Sequence, residues 1–145
     1  MLAYGDELGF LYIYSLESFS VVASIRSLGY QILDICMDKS YSLIVAYSNT
    51  ISVYDKSGNP VRVFTVKEEY GRVVKMKARQ NIVVACTEKA NFLLVDIMAE
   101  DILAEVSCDN VDKVGSGFIN IEFDTEFVRG CSGNHNGEIV VYDVM

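Results

Sequence analysis

Histidine occurs once in the 145 residues, at position 135, and that scarcity excludes a good deal of chemistry. Every Ser–His or Cys–His nucleophilic scheme would have to use His135. It stands in Ser132-Gly133-Asn134-His135-Asn136-Gly137, where Asn and Gly accept positive φ at low cost and so favour a hairpin turn. The four cysteines, Cys36, Cys86, Cys108 and Cys131, lie 50, 22 and 23 residues apart. Without a Cys-x-x-Cys pair or a second histidine they do not form a zinc-binding pattern, and no metal is expected. They read as reduced thiols, with Cys86 and Cys131 in matching places before Thr87 and Ser132, where a small buried side chain serves. No Gly-rich phosphate loop stands between a strand and a helix; Gly115-Ser116-Gly117 is a short flexible connection. The longest uncharged stretch, Ser40 to Tyr54, is too short for a membrane span and is broken by Ser, Asn and Thr. The opening MLAYGDELGF lacks the basic region and apolar run of a signal peptide. The expectation is a soluble intracellular protein, cytoplasmic or nuclear, with no membrane partner.

Basic residues are scarce in one stretch. The formal net charge is −8, and between Asp96 and Glu126 nine acids face a single base, Lys113. The rest of the chain is balanced, so no basic face exists for a phosphate backbone and nucleic acid is not expected as a partner. The acidic window reads as a solvated outer face, with a basic partner as the alternative. Carboxylate pairs such as Glu122 and Asp124 occur on one strand face, but nothing in the sequence desolvates one of them to raise its pKa. An enzyme and a cofactor are therefore not expected.

What is abundant is strand-forming residues. Half the chain is hydrophobic, rich in Val, Ile, Tyr and Phe, with one Pro, which predicts an all-β class with enough apolar material for a core. A seven-residue shape recurs four times, as Gly9–Ser15 (GFLYIYS), Asn49–Asp55 (NTISVYD), Ala90–Asp96 (ANFLLVD) and Gly137–Asp143 (GEIVVYD), starting 40, 41 and 47 residues apart. Its alternation predicts a strand leaving a tight hairpin. Ahead of it a second-strand segment aligns as Leu43–Ser48, Ile82–Thr87 and Phe127–Ser132, with Leu2-Ala3-Tyr4 as its truncated first copy. Further upstream, Ile32–Met37, Val73–Ala78 and Ile119–Phe123 read as first strands, and Val21–Ile25, Val61–Val66 and Ile102–Val106 as fourth strands. The chain then forms one repeat domain over 1–145, with units of about 1–15 (incomplete), 16–55, 56–96 and 97–145.

Four short antiparallel strands per period of about 40–45 residues resemble the blades of WD40-repeat β-propellers. The matching residues are Tyr54-Asp55, Val95-Asp96 and Tyr142-Asp143, where the family usually has Trp-Asp, together with the small-residue runs ahead of each hairpin. The chain departs from the family in having no Trp and no Gly-His pair ahead of any first strand, so the family's His-centred hydrogen-bond network cannot form. The resemblance implies a partial propeller of about three to four blades, acting as a non-catalytic protein–protein interaction scaffold. Because a propeller closes with several blades, further blades are expected in cis, as in a segment of a larger propeller, or from a second chain. The alternative is a half-propeller that closes by homodimerisation or with another chain. The resemblance also implies a docking face where the fourth-to-first connections and second-to-third hairpins meet, carrying Arg26, Tyr30, Lys67, Glu68, Tyr70, Asp109 and Asp112, with tyrosines as anchors or as caps on the blade core.

Alternate residues of the three first strands are Asp34, Cys36 and Asp38, then Lys75, Lys77 and Arg79, then Asn120, Glu122 and Asp124. Charge sign alternates from repeat to repeat, which predicts pairing between neighbouring first strands, a device for register more than for stability. A further reading makes Lys75, Lys77 and Arg79 the grip for an acidic peptide or phosphate, and a propeller-based hydrolase is a remaining alternative.

Overall fold

A computed structural model of the chain describes residues 1–26, 30–37, 42–89, 91–107, 118–123, 129–134, 137 and 139–143. Its strands are β1 (Leu2–Gly5), β2 (Phe10–Ser15), β3 (Ser20–Arg26), β4 (Ile32–Met37), β5 (Leu43–Tyr47), β6 (Thr50–Tyr54) and β7 (Pro60–Thr65), followed by β8 (Val73–Arg79), β9 (Ile82–Thr87), β10 (Asn91–Asp96), β11 (Asp101–Ser107), β12 (Phe118–Phe123), β13 (Arg129–Asn134) and β14 (Ile139–Asp143). They form four antiparallel sheets, ordered β1-β2-β3, β4-β5-β6-β7, β8-β9-β10-β11 and β12-β13-β14, and none closes on itself. A single 3-10 turn, Glu68–Tyr70, is the only helical element among the described residues. The protein is all-β. The first strand Ile32–Met37 and the second strand Ile82–Thr87 fall where the sequence places them, and the other strands begin within two residues of expectation.

The residue that closes each repeat has a local task. In the third-to-fourth turns the side chains of Ser15, Asp55 and Asp96 accept backbone N–H groups: Glu17 and Ser18 donate to Ser15, Ser57 and Asn59 to Asp55, and Met98 and Ala99 to Asp96. Such turns satisfy donors that the bend removes from the ladder, which is why Ser and Asp recur there. The bends include one residue at positive φ in each case, Phe19, Gly58 and Glu100.

Alternation along the third strands gives each sheet two distinct faces. Leu11 and Ile13, Ile51 and Val53, and Phe92 with Leu94 point toward the following sheet, here termed front; Ser52 with Tyr54 and Leu93 with Val95 point to the preceding one, termed back. The front of the first sheet meets the back of the second in a core of Leu11, Ile13, Leu43, Val45, Tyr47 and Tyr54. The front of the second meets the back of the third in a larger core that includes Ile44, Ile51, Val53, Met76, Val83 and Leu93. The stacking is therefore front to back and repeats in sequence order.

The inner edges are tied as well. β4 packs on β8 and β8 on β12. Asp34 on β4 accepts the Met76 N–H at 2.7 Å and the Lys75 ammonium at 3.2 Å, while Lys77 reaches Glu122 on β12 at 3.1 Å. Hairpin carbonyls make a second recurring tie: Ile32 N–H donates to the Asp6 carbonyl and Val73 N–H to that of Ser48, so each hairpin holds the first residue of the next sheet's inner strand. At the first of these joints Gly5 lies so close to Ile32 that a Cβ would sit 2.6 Å from its Cγ2.

One sequence expectation needs correction. Cys86 is buried, but Cys131 is exposed. Cys86 stands opposite Phe92, four residues before Asp96, and Cys131 opposite Val141, two residues before Asp143; an offset of two keeps both on the same face of their sheets, so the difference is one of cover. No described part of the chain packs over Cys131, whose neighbour Val141 is 70% exposed.

Candidate functional site

The end of the stack where hairpins meet the connections between sheets carries most of the side chains singled out from sequence. Between β7 and β8 the chain makes its 3-10 turn, and Gly71 follows at φ 75°, a conformation that ends the turn and favours glycine. A Cβ at Gly71 would meet the Glu88 side chain at 2.7 Å. That closeness brings Glu88, on the β9–β10 hairpin, against the turn. Glu88 accepts the Arg72 backbone N–H at 3.1 Å and the Arg72 Nε at 2.8 Å, and this pairing holds its carboxyl below the ordinary value. Lys89 donates to the Glu69 carbonyl at 2.9 Å, and Lys67 pairs with Glu69 at 3.6 Å. The charges of this turn thus largely answer one another.

Below the turn the outer strands of the second and third sheets diverge and leave a groove of about 530 Å³ between β7 and β11. Phe64 and Ile102 line its apolar part, while Lys67, Tyr70, Glu100 and Glu105 give it polar edges. Tyr70 is only 8% exposed, and its hydroxyl donates to Glu105 Oε2 at 2.5 Å. That bond first, and burial second, push the phenol up to about 12, so it remains a neutral donor through the physiological range. Beside the groove, Arg62 approaches Glu100, which also borders it, at 3.9 Å. Two outer strands and a tyrosine–carboxylate bond frame a cleft with both apolar and charged contacts to offer.

The residues proposed from sequence distribute as follows. Lys67, Glu68 and Tyr70 share the 3-10 turn, and Lys67 and Tyr70 also border the groove. Tyr30 is 54% exposed and stacks on Tyr47 with ring centroids 6.5 Å apart, which attaches it to the core between the first two sheets. Arg26 ends β3 and lies over the Phe10 ring at 5.4 Å, a cation–π contact on the back of the first sheet. Asp109 and Asp112 lie outside the described residues. Lys75 and Lys77 are engaged with Asp34 and Glu122 between sheets, and Arg79 ends β8.

Glu105 and Phe64 escaped the sequence reading. Glu105 stands opposite Leu93 and so shares the face of a core residue, but a register shift between Leu94 and Val95 hides this alternation in the sequence. Among the described residues no group of three His, Cys, Asp or Glu is placed to hold a metal ion, and no helix is long and apolar enough to cross a membrane. No family model matches the chain, and a search of curated proteins finds no significant match.

Proposed function

We propose that the chain is an arc of a WD40-like β-propeller and acts as a non-catalytic scaffold that docks other proteins. The observation that carries this reading is the front-to-back stacking of successive sheets, with β4, β8 and β12 packed consecutively along one edge. In a propeller these inner strands line the central channel, and the hairpins and connections gather on one face. The expected contact area is that face together with the groove beside it. Tyr30 and Lys67 supply exposed contacts, and Tyr70 acts as a buried support that orients Glu105. Intracellular location is part of the same proposal.

The ion pairs of Lys75 and Lys77 favour the structural reading of the basic inner strand over an anion grip, because both ammonium groups already have carboxylate partners. A site-specific photo-crosslinker tests the scaffold reading. Placed at position 67 or 30 it should capture the same discrete protein set, and placed at Phe19, 83% exposed on a third-to-fourth turn, it should not. Indistinguishable capture at all three positions would remove the proposed face.

A further inference from the structure

The groove between β7 and β11 has a shape, a floor and an unbalanced charge that together specify an occupant. The second and third sheets, which frame it, each have a neighbouring sheet on both sides. The residues from Glu100 to Glu105 line it consecutively, opposite Phe64, Thr65 and Lys67. A strand rises about 3.3 Å per residue, so the trough runs for about 16 Å along β11. A volume of about 530 Å³ spread over that length makes it narrow. Such a trough suits about four or five residues of extended chain better than a compact ligand. β7 and β11 are also the outer strands of their sheets, and an edge strand offers backbone donors and acceptors to a segment laid alongside it.

The junction between the first and second sheets is built differently at its third-to-fourth turn. Gly58, at φ 84°, sits so near β3 that a Cβ would lie 2.8 Å from that of Ala23. In the third sheet the positive-φ residue of the bend is Glu100, at 57°. Its side chain is 52% exposed and stands at the end of the groove.

Charge narrows the choice of occupant. Of the four charged residues on the lining, Glu100, Asp101 and Glu105 are acids and Lys67 is the base. Lys67 pairs with Glu69, and Glu100 with Arg62. Glu105 differs: the Tyr70 hydroxyl, a neutral donor, occupies its Oε2, and among the described residues no cation pairs with it. A carboxylate accepts at both oxygens, so Oε1 is left for a second donor. Phe64 and Ile102, both packed on the core between the sheets, form the apolar floor.

We propose that this groove binds an extended segment of a partner protein in which a lysine or arginine is flanked by apolar residues, its cation bonded to Glu105 and its aliphatic stem lying across Phe64 and Ile102. Long basic side chains bury their stems readily while the head keeps a polar partner, and a cation–carboxylate hydrogen bond is among the stronger kinds. Tyr70 is the positioning residue, since its hydroxyl holds the carboxylate in one orientation.

This rests on the scaffold reading, yet the two fail separately: a chain that captures proteins from position 30 but selects no basic peptide overturns only the occupant of the groove. The intact chain is panned against a phage-displayed library of random peptides. Selected sequences should be enriched in lysine or arginine between apolar residues, and a fluorescein-labelled synthetic copy should bind more weakly as salt is raised. Glu105→Gln should weaken that binding by about tenfold or more, the size expected for losing a hydrogen bond to a charged group, and should remove most of its salt dependence. Tyr70→Phe keeps the charge but releases the carboxylate, so affinity should fall while the salt dependence stays. Circular dichroism checks folding of both variants. Selection of acidic or uncharged sequences, no selection at all, or a selected peptide indifferent to Glu105→Gln overturns the proposal. If Glu105→Gln does not fold, a photo-crosslinker in the otherwise unaltered chain reports instead. At Leu103, 52% exposed beside the groove, it should join the selected peptide, and at Val22, 53% exposed on β3, it should not; capture at neither position, or equally at both, refutes binding in this groove.

Discussion

Replacing Asp34 with alanine should destabilise the protein by about 2–4 kcal/mol, and the arithmetic starts from what its carboxylate holds. The Asp34 side chain is 15% exposed and receives two donors from the neighbouring sheet, the Met76 N–H at 2.7 Å and the Lys75 ammonium at 3.2 Å. A hydrogen bond to a charged group contributes roughly 1.5–3 kcal/mol, and its loss leaves a part-buried backbone N–H unpaired. The ion pair adds little, about 0–1 kcal/mol, because Lys75 is over a third exposed and well solvated. Asp34→Asn keeps an oxygen for Met76 and removes only the charge, so it should cost about 1 kcal/mol or less. Lys75→Ala should cost the same small amount. Urea denaturation measures this directly: with an m-value of about 2 kcal/mol/M, the alanine variant should lose about 1–2 M in midpoint and the asparagine variant less than about 0.5 M. The reasoning fails if Asp34→Ala and Asp34→Asn are equivalent, or if Lys75→Ala costs more than Asp34→Ala. Either result would mean that charge, and not the tie to the Met76 backbone, holds the two inner strands in register.

Tyr70 should ionise only at about 12, and Glu105→Gln should bring it down; an unchanged ultraviolet titration would refute the role of that bond. Because the folded value is raised above the ordinary tyrosine value near ~10, its contribution to stability is complete below that pH and is lost as pH rises from there through the folded value. Glu88 works in the opposite sense: its value is lowered by Arg72, so it stabilises above the ordinary carboxylate range and the contribution disappears as pH falls through its depressed folded value. Glu88→Gln should flatten the acid limb of a stability–pH curve, and an identical acid limb would count against the pairing. Gly5→Ala should cost about 1–3 kcal/mol through the close approach to Ile32. Gly137→Ala, with φ 81° but nothing within 4 Å, should cost only the backbone strain of about 1–2 kcal/mol; thermal unfolding of both variants should show the larger loss for Gly5.

Much of the sheet order was legible because alternation and turn chemistry are local. NTISVYD contains its own hairpin, its own strand and the Asp that caps the following bend, so its boundaries follow from seven residues. What the sequence concealed depends on cover. Cys86 and Cys131 lie on the same face of their sheets, opposite Phe92 and Val141, and only what packs over that face separates them. The expected alternation of charge between inner strands did meet in space, as Asp34 with Lys75 and Lys77 with Glu122. Sign patterns survive a shift of a residue or so because lysine chains are long.

The candidate groove was harder to read for a different reason. Tyr70 attracted notice as an aromatic ahead of an inner strand, yet its hydroxyl partner comes from β11, 35 residues later in sequence. No local pattern marks Glu105, which in the sequence is one acid among nine in a stretch that otherwise reads as solvated surface. A site formed between sheets draws each wall from a different repeat, and each repeat has been shaped first by the need to stack. Front and back faces therefore use the same Val, Ile, Leu and Tyr vocabulary whether they are covered within the chain, as at Ile51 and Val53, or exposed, as at Ile139 and Val141. Residue type alone cannot separate an internal junction from a docking face in such a chain. Exposure at equivalent positions can, and Ile51 and Val53 differ from Ile139 and Val141 in that respect alone.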